Sequence, residues 1–392
     1  VWGAWLISLG AYLGNTLKFD GLQIGSFFAT MGIASLFMPA VMGIIADRWI
    51  PAQRLLGLCH LFAAGFITLA ATRTDYNSLY TLVLLSVMFY MPTIALSNSV
   101  AYNALEKAGL DTVTHFPPIR VWGTVGFICA MWVVDLGKMG LSATQLYFSA
   151  TLGLILGLYS FTLPNCPINR SGGGKSIVDL LGLRAFALFK QRKMAIFFIF
   201  SMLLGMSLQI TNAFADGYIK SFGDTGIHGA KYLGTFGVEH STILISLSQI
   251  SETLCILLIP FFLKRFGIKR VMLIAMFAWV LRFALLGAGN PGPGVWMFIL
   301  SMIVYGVAFD FFNISGSLFV EKETSAAIRS SAQGVFMIMT NGLGALIGSY
   351  LAGWVVNHYG WPLSWYLFAG FSLVVAIVFA VIFKYKHDPN RI

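Results

Sequence analysis

The chain has 392 residues, of which 58% are hydrophobic and only 10% are charged, and it carries a formal net charge of +10. Soluble domains contain roughly 25% charged residues, so this composition excludes a water-soluble globular protein. It also leaves almost no room for a separate catalytic domain, because a membrane-spanning helix takes about 20 apolar residues and the chain can hold about twelve of them.

Apolar segments follow one another along the chain in two groups of six. The first group falls at 1–17, 22–46, 55–73, 78–103, 119–136 and 144–163, and the second at 194–219, 241–263, 271–288, 295–318, 329–356 and 363–383. This pattern predicts an all-α membrane protein with twelve transmembrane helices in two six-helix halves. The N-terminal half is 1–163 and the C-terminal half 194–392. They are joined by a cytoplasmic linker, 164–193, with a short amphipathic segment around 178–189.

Basic residues concentrate on one side of this predicted bundle. If both termini are cytoplasmic, most Lys and Arg residues lie on the inner side. The outer side receives Lys18, Arg73, Lys138, Lys220 and Lys231. Such an asymmetry orients membrane proteins during insertion. The net charge therefore indicates orientation in a membrane, and no nucleic acid partner is expected.

The turn between the second and third helices carries the sequence GIIADR at 43–48, and the second half has a charged turn at the matching place, 264–270. Matching positions indicate an internal repeat. The first turn resembles the hallmark loop of the major facilitator superfamily. We interpret Gly43 as a point of close helix approach and Asp47 with Arg48 as a conformational latch. A solvated turn between helices is the alternative.

Few ionisable residues fall at membrane depth. The deepest acids are Glu252 and Asp310, while Arg120 begins the fifth helix and Arg282 lies in the ninth. A charged group near mid-bilayer costs from about 2.5 to over 10 kcal/mol, so each such residue indicates a functional site. Arg282 either pairs with an acid across the bundle or stabilises helix packing.

Asp135 and Asp216 fall near the outer ends of their helices. Because water reaches that depth, we expect them to be boundary residues and not part of a buried site.

Polar and aromatic side chains form one stripe on each of four helices. The stripes are Arg120, Thr124 and Phe127; Gln209 and Asn212; Gln249 and Glu252; and Tyr305, Phe309 and Asn313, with Asp310 beside the last. Residues three, four or seven positions apart share a helix face. Polar side chains that face lipid are costly, so we expect the stripes to line a cavity between the halves. For the carboxamides taken singly, hydrogen bonding between helices is the alternative.

The side chains of this predicted cavity restrict its ligand. Carboxylates and carboxamides can hydrogen-bond vicinal hydroxyls, and aromatic rings can stack on a flat heterocycle. A neutral polyol carrying such a ring, for example a nucleoside, fits this set of groups. A sugar fits nearly as well.

Four segments are similar to the bacterial nucleoside:proton symporter family, a branch of the major facilitator superfamily. They are FPPIRVWGTVGF at 116–127, LQITN at 208–212, SQISE at 248–252 and AFDFFNISG at 308–316, and the similarity extends over nearly the whole chain. The resemblance implies proton-coupled nucleoside import across the bacterial inner membrane. It also implies that the substrate is bound by Arg120, Thr124, Phe127, Gln209, Asn212, Gln249, Glu252, Tyr305 and Phe309. Asp310 would couple the proton, with Glu252 the next candidate.

Other classes of membrane protein fit the sequence less well. A membrane enzyme would need a nucleophile with its base, or paired metal-binding acids, near the interface, and neither is found. Two matching halves favour rocking over an open channel. We therefore predict a multi-pass transporter that is not an enzyme, is a monomer, and uses no cofactor, with the proton as coupling ion and nucleoside and lipid bilayer as partners. A proton-coupled transporter of sugars or other polyols with the same fold is the alternative.

Overall fold

The computed structural model describes residues 1–168, 183–228, 230–324 and 328–385. In these residues the chain is helical between short turns and contains no strand. Nine of the described helices are long and apolar enough to cross a membrane. One of the nine, Ser241–Ala288, is two helices joined at Gly267, whose φ of 76° is left-handed. Glycine adopts this conformation without the steric penalty that a Cβ would bring.

The first half consists of helices α1 to α6. α1 is irregular and comprises Trp2–Ala4, Leu9–Ala11 and Tyr12–Thr16. The others are α2 Gly21–Arg48, α3 Ala52–Ala71, α4 Tyr76–Lys107, α5 Thr112–Leu136 and α6 Thr144–Ser160. α5 begins before the predicted residue 119, because its first turns are polar and were not recognised as part of an apolar segment.

The second half consists of helices α7 to α12. They are α7 Arg192–Ser221, α8 241–266, α9 268–288, α10 Val295–Glu323, α11 329–359 and α12 Leu363–Ile382. α11 is built from Arg329–Met337, the π-helical Ile338–Gly344 and Ala345–Tyr359. The prediction of twelve spanning helices in two halves is confirmed. Of the predicted linker, residues 169–182 lie outside the described part, and Leu183–Lys190 forms a 3-10 helix.

Helix ends on the predicted outer side are fixed by aspartate caps. The Asp20 carboxylate accepts from the Gln23 backbone N–H at 2.8 Å, and Gln23 Oε1 accepts from the Asp20 backbone N–H at 3.1 Å. At the start of α4, Asp75 accepts from the Ser78 backbone N–H at 2.9 Å. These bonds satisfy N–H groups that have no partner within the helix, so they set where α2 and α4 begin.

The two halves pack closely where small residues let backbones approach. On α1, a Cβ at Gly10 would collide with the backbone of Ala213 on α7. On α2, a Cβ at Gly25 would collide with the backbone of Ser349 on α11. Close backbone approach of this kind is how helices pack in a membrane, where no hydrophobic force between helices drives association.

Hydrogen bonds between the halves lie at the predicted outer end. His240, just before α8, lies 2.6 Å from the Asp135 carboxylate on α5. Trp132 Nε1 donates to Ser246 Oγ at 2.9 Å, and the Gly21 backbone N–H donates to Asn357 at 2.5 Å.

Side-chain bonds of Gln53, Lys193 and Lys269 at the predicted inner end do not join the two halves. Gln53 of α3 donates at 2.6 Å to Asn165, at the start of the linker. Lys193 donates to Glu323 at 2.6 Å in the second half. Lys269 donates to the Ala380 carbonyl at 2.9 Å, also within the second half. Contact between the halves is therefore concentrated at the outer end and at mid-depth.

In this conformation Gly43 makes no close contact with another described helix, and the contact predicted for it stays a prediction. No atom of another helix among the described residues lies within 4 Å of the position that a Cβ on Gly43 would take. α2 makes its close contacts with α11 nearer its outer end, through Gly25 and Gly32. Arg48 is exposed at the end of α2, and the side chain of Asp47 lies outside the described part. The latch itself stays a prediction.

Candidate functional site

Two acids meet where α8 packs against α10. The Ser251 hydroxyl donates to the Ile303 carbonyl, which fixes the two helices to each other. This places Glu252 and Asp310 close enough for their charges to interact. Asp310 is 5% exposed, and its Oδ2 has no hydrogen-bond partner among the described residues. A buried carboxylate oxygen without a donor is costly, which makes Asp310 a candidate functional residue.

Tyr305 connects the polar and aromatic groups of the second half. Its ring lies parallel to Phe309, with centroids 5.6 Å apart and an interplanar angle of 7°, because the two residues are one turn apart on α10. Its hydroxyl lies near the Gln249 carboxamide, and it lies within electrostatic reach of Glu252 and Asp310. The arrangement combines flat rings with hydrogen-bonding groups, as recognition of a polar ring compound requires.

Arg120 brings the first half to this cluster. Its side chain is exposed at the inner part of α5, and its charge interacts with Glu252 on α8. Thr124 and Phe127 follow on α5 and are half-buried. Phe127 also packs against the main hydrophobic core and lies beside Gly3 of α1. The predicted stripe on α5 therefore has one end at the acids and the other at α1.

The carboxamides of α7 bond to each other. Asn212 Nδ2 donates to Gln209 Oε1 at 3.3 Å, and Gln209 is buried. Within the described part of the chain, neither side chain forms a hydrogen bond to another helix. The alternative of hydrogen bonding between helices is therefore not supported for these two residues in this conformation.

A small pocket opens beside Phe309. Its lining is Leu204, Gly205, Leu208, Trp279, Ala308, Phe309, Phe312, Asn313, Thr340 and Asn341. Binding sites for small molecules are commonly apolar with a few polar groups, as this one is. Thr340 and Asn341 were missed by the sequence reasoning. They lie in the π-helical part of α11, and such segments are frequent at functional sites. The sequence TNGLG at 340–344, which combines polar residues with two glycines inside an apolar segment, could have indicated these two residues.

Asp135 and Asp216 are not water-exposed boundary residues, contrary to the prediction. They are 7% and 1% exposed. Asp216 accepts from Ser241 at 2.5 Å and from Lys220 at 2.7 Å. The residues at the start of α8 cover both acids, which could not be read from the position of the acids in their own helices.

Comparison with known proteins identifies relatives over the whole chain. Residues 1–388 match the family described as Nucleoside H+ symporter. The chain is 51% identical to the nucleoside permease NupG of Escherichia coli strain K12, over 99% of this chain and 93% of that protein. It is 50% identical to the xanthosine permease of the same organism, over 100% of this chain and 94% of that protein.

Solved structures show the same fold. The chain matches a crystal structure of a NupG point mutant with a TM-score of 0.94 at 51% identity, covering 98% of this chain and 96% of that one. The corresponding TM-score for a crystal structure of NupG itself is 0.90.

Proposed function

The chain belongs to the nucleoside H+ symporter family and imports nucleosides together with protons, and we propose which of its residues carry out this transport. It is a transporter and not an enzyme. A sugar or other polyol as substrate is not favoured, because the relatives that are 50% and 51% identical to the chain are named as xanthosine and nucleoside permeases.

The position of Glu252 carries the proposal. This acid interacts with Arg120 of the first half and with Asp310 and Tyr305 of the second. A substrate held here contacts both halves at once, as transport by rocking requires. Glu252, Arg120 and Gln249 hydrogen-bond the sugar hydroxyls, and Phe309 with Tyr305 offers ring faces to the base. Thr124, Phe127, Gln209 and Asn212 complete the substrate site.

Asp310 is the proton-coupling acid in this proposal. It is buried, it has an oxygen without a donor, and it lies beside Glu252. Loading a proton removes its negative charge, and a neutral side chain costs less to keep inside the membrane while the halves move. The proton is the only coupling ion, and no cofactor takes part.

The conformation described above corresponds to an inward-open state of a monomer in the bacterial inner membrane, with both termini cytoplasmic. The hydrogen bonds between the halves at the outer end support an outer side that is closed. The excess of basic residues in the inner loops supports the placement of both termini in the cytoplasm.

Uptake of radiolabelled uridine into cells or vesicles tests the function. Uptake should depend on a proton gradient and should be reduced by excess unlabelled uridine or xanthosine, but not by glucose. The pattern of competition among purine and pyrimidine nucleosides defines the substrate range. Uptake that glucose reduces and nucleosides do not, or that is equal with and without the gradient, would overturn the proposal.

A further inference from the structure

Arg282 is a buried cation in the middle of α9. It is 2% exposed, and no acid in the described residues forms an ion pair with it. Its Nη1 donates to the Ser301 carbonyl at 2.6 Å, and Ser301 Oγ donates back to the Arg282 carbonyl at 3.1 Å. Its Nε is buried and has no hydrogen-bond partner among the described residues. Nη1 also lies 3.5 Å from the Ser248 hydroxyl and 3.7 Å from the Met302 sulfur, which are longer and weaker contacts. Arginine stays charged in proteins, so a full positive charge is held here by neutral groups, of which the Ser301 carbonyl is the nearest.

The main other neighbour of this guanidinium is an aromatic ring. Arg282 Cζ lies 4.7 Å from the ring centroid of Tyr305, which is the geometry of a cation–π contact. Among the residues assigned above to substrate binding, Tyr305 is the one that Arg282 contacts. Tyr305 in turn is parallel to Phe309, and its hydroxyl lies near the Gln249 carboxamide. Arg282 thus lies behind the substrate site and reaches it through a single side chain.

A purely structural role does not account for a charge at this place. Removing a charge from water is expensive, and replacing buried charged groups by apolar residues of similar size is often neutral or stabilising. Packing α9 against α10 would be served as well by a Met or Leu side chain. A cation is useful where it orients a ring and sets the electrostatic field beside two acids.

We propose that Arg282 is a positioning residue of the substrate site. Anchored on the Ser301 carbonyl, its guanidinium holds the Tyr305 ring parallel to Phe309 and keeps the Tyr305 hydroxyl at Gln249. This inference rests on the proposed assignment of Tyr305 to nucleoside binding. Arg282 itself does not touch the nucleoside.

A double-mutant cycle measures whether Arg282 acts through Tyr305. Uridine affinity is determined by calorimetry on the purified full chain in detergent for Arg282→Gln, Tyr305→Ala and the double variant. We expect each single variant to lose roughly tenfold in affinity. We expect the double variant to lie within about twofold of Tyr305→Ala, because two residues that act as a unit are not additive.

Two further variants separate positioning from folding. Arg282→Lys keeps a cation near the ring and should recover part of the affinity that Arg282→Gln loses. Lys193→Gln removes a different cation–π contact of the same half, in which the amine lies 4.7 Å from the Tyr385 ring at the inner end. It should leave uridine affinity unchanged. Melting temperatures identify variants that fail to fold, and if Arg282→Gln is one of them, the cycle is run with Arg282→Lys.

The outcomes distinguish the inference from the function on which it rests. If Tyr305→Ala weakens binding but the effects of Arg282 and Tyr305 simply add, Arg282 only stabilises packing and the inference is wrong. If Tyr305→Ala binds uridine as tightly as the parent, the assignment of Tyr305 to the site is wrong and the inference falls with it.

Discussion

Glu252 is shared between Arg120 in the other half and Asp310 in its own half. When both acids are charged they repel each other, and a proton on Asp310 relieves this repulsion. Glu252 is then the single charged acid beside Arg120 and the hydrogen-bonding groups. In the proposed function, a proton bound at Asp310 is in this way linked to the state of Glu252.

Removal of single hydrogen-bonding groups from the site should weaken nucleoside binding. Arg120→Ala, Gln249→Ala and Glu252→Ala each leave a substrate group unpaired, which costs about 1–3 kcal/mol and roughly tenfold or more in affinity. Calorimetry on detergent-purified variants measures this. Gln333→Ala is the matched control, because Gln333 is a carboxamide of the same half that bonds to the Ser317 carbonyl at 2.7 Å, away from the site. Unchanged affinity in all three site variants would remove them from the site.

Replacement of the coupling acid should separate binding from accumulation. Asp310→Asn keeps the shape and hydrogen bonding of the side chain but cannot load and release a proton. One proton crossing 150 mV yields roughly 3.5 kcal/mol, and each pH unit adds about 1.4 kcal/mol, enough to concentrate a nucleoside on the order of a thousandfold. The variant should bind uridine, yet lose uptake against a gradient and lose the proton uptake that uridine induces.

If Asp310 has only a structural role, vesicles that contain Asp310→Asn keep both uridine accumulation and proton uptake. Asp310→Asn vesicles that still concentrate uridine and still alkalinise the medium would assign coupling to another residue, of which Glu252 is the next candidate.

Residue spacing predicted which side chains share a helix face, but not which faces meet. Tyr305 and Phe309 stack because they are one turn apart, which the sequence shows directly. The interaction of Arg120 with Glu252 depends on how α5 packs against α8, which local spacing does not specify. For Arg282, the sequence left open a partner acid or packing. The structure places it against a carbonyl and a ring within its own half.

Glycines control how closely the helices of the two halves approach. Gly25 of α2 lies against the backbone of Ser349 on α11, and there is no space for a methyl group between them. Backbone atoms cannot move aside as a flexible side chain can, so a larger residue has to push the helices apart.

Substitution of this glycine should disfavour the outer-closed conformation. Gly25→Ala places a Cβ against the α11 backbone, so we expect a lower melting temperature and slower uridine transport than in the parent. Gly65→Ala is the control, because no neighbour in the described part of the chain lies within 4 Å of that Cβ position on α3, and alanine is the better helix former. Equal transport and melting temperature for the two variants would show that the α2–α11 contact is not tight.

Long apolar helices were predicted well, and irregular backbone was not. The bounds of α7, α10 and α12 lie close to the predicted segments, because a continuous apolar run leaves a helix as the main way to satisfy its backbone groups in lipid. The π-helical part of α11 and the broken course of α1 depend on contacts with other helices. Hydropathy does not record such contacts.

Alternating access requires that the contacts at one end of the whole molecule break as those at the other end form. In the conformation described, the halves bond at the outer end through α5 with α8 and α2 with α11. The predicted latch at the inner end, at Gly43, Asp47 and Arg48, belongs to the opposite conformation, in which α2 is expected to approach another helix at Gly43.

Change of the latch acid should slow the exchange between conformations without changing the site. Asp47→Asn removes the charge, so transport of uridine should fall more than its binding affinity does. Uptake rates and calorimetry on the same preparation compare the two. Transport at the parent rate would reduce the motif to a turn between helices.

Loss of the pair between Asp135 and His240 should open the outer end of the molecule. The pair joins the halves at 2.6 Å, and a hydrogen bond to a charged group contributes about 1.5–3 kcal/mol, so Asp135→Ala should shift the equilibrium toward the outward-open state by roughly tenfold or more. Spin labels at Lys138→Cys and Lys231→Cys, in a background without the native cysteines, report the distance between the outer ends. The population with long distances should grow, while uridine affinity changes little because the site is not touched. Asp75→Ala is the matched control, since Asp75 is an outer-end acid that caps α4 within one half. If both variants give the parent distance distribution, the closure is held by α1–α7 and α2–α11 packing and not by this pair.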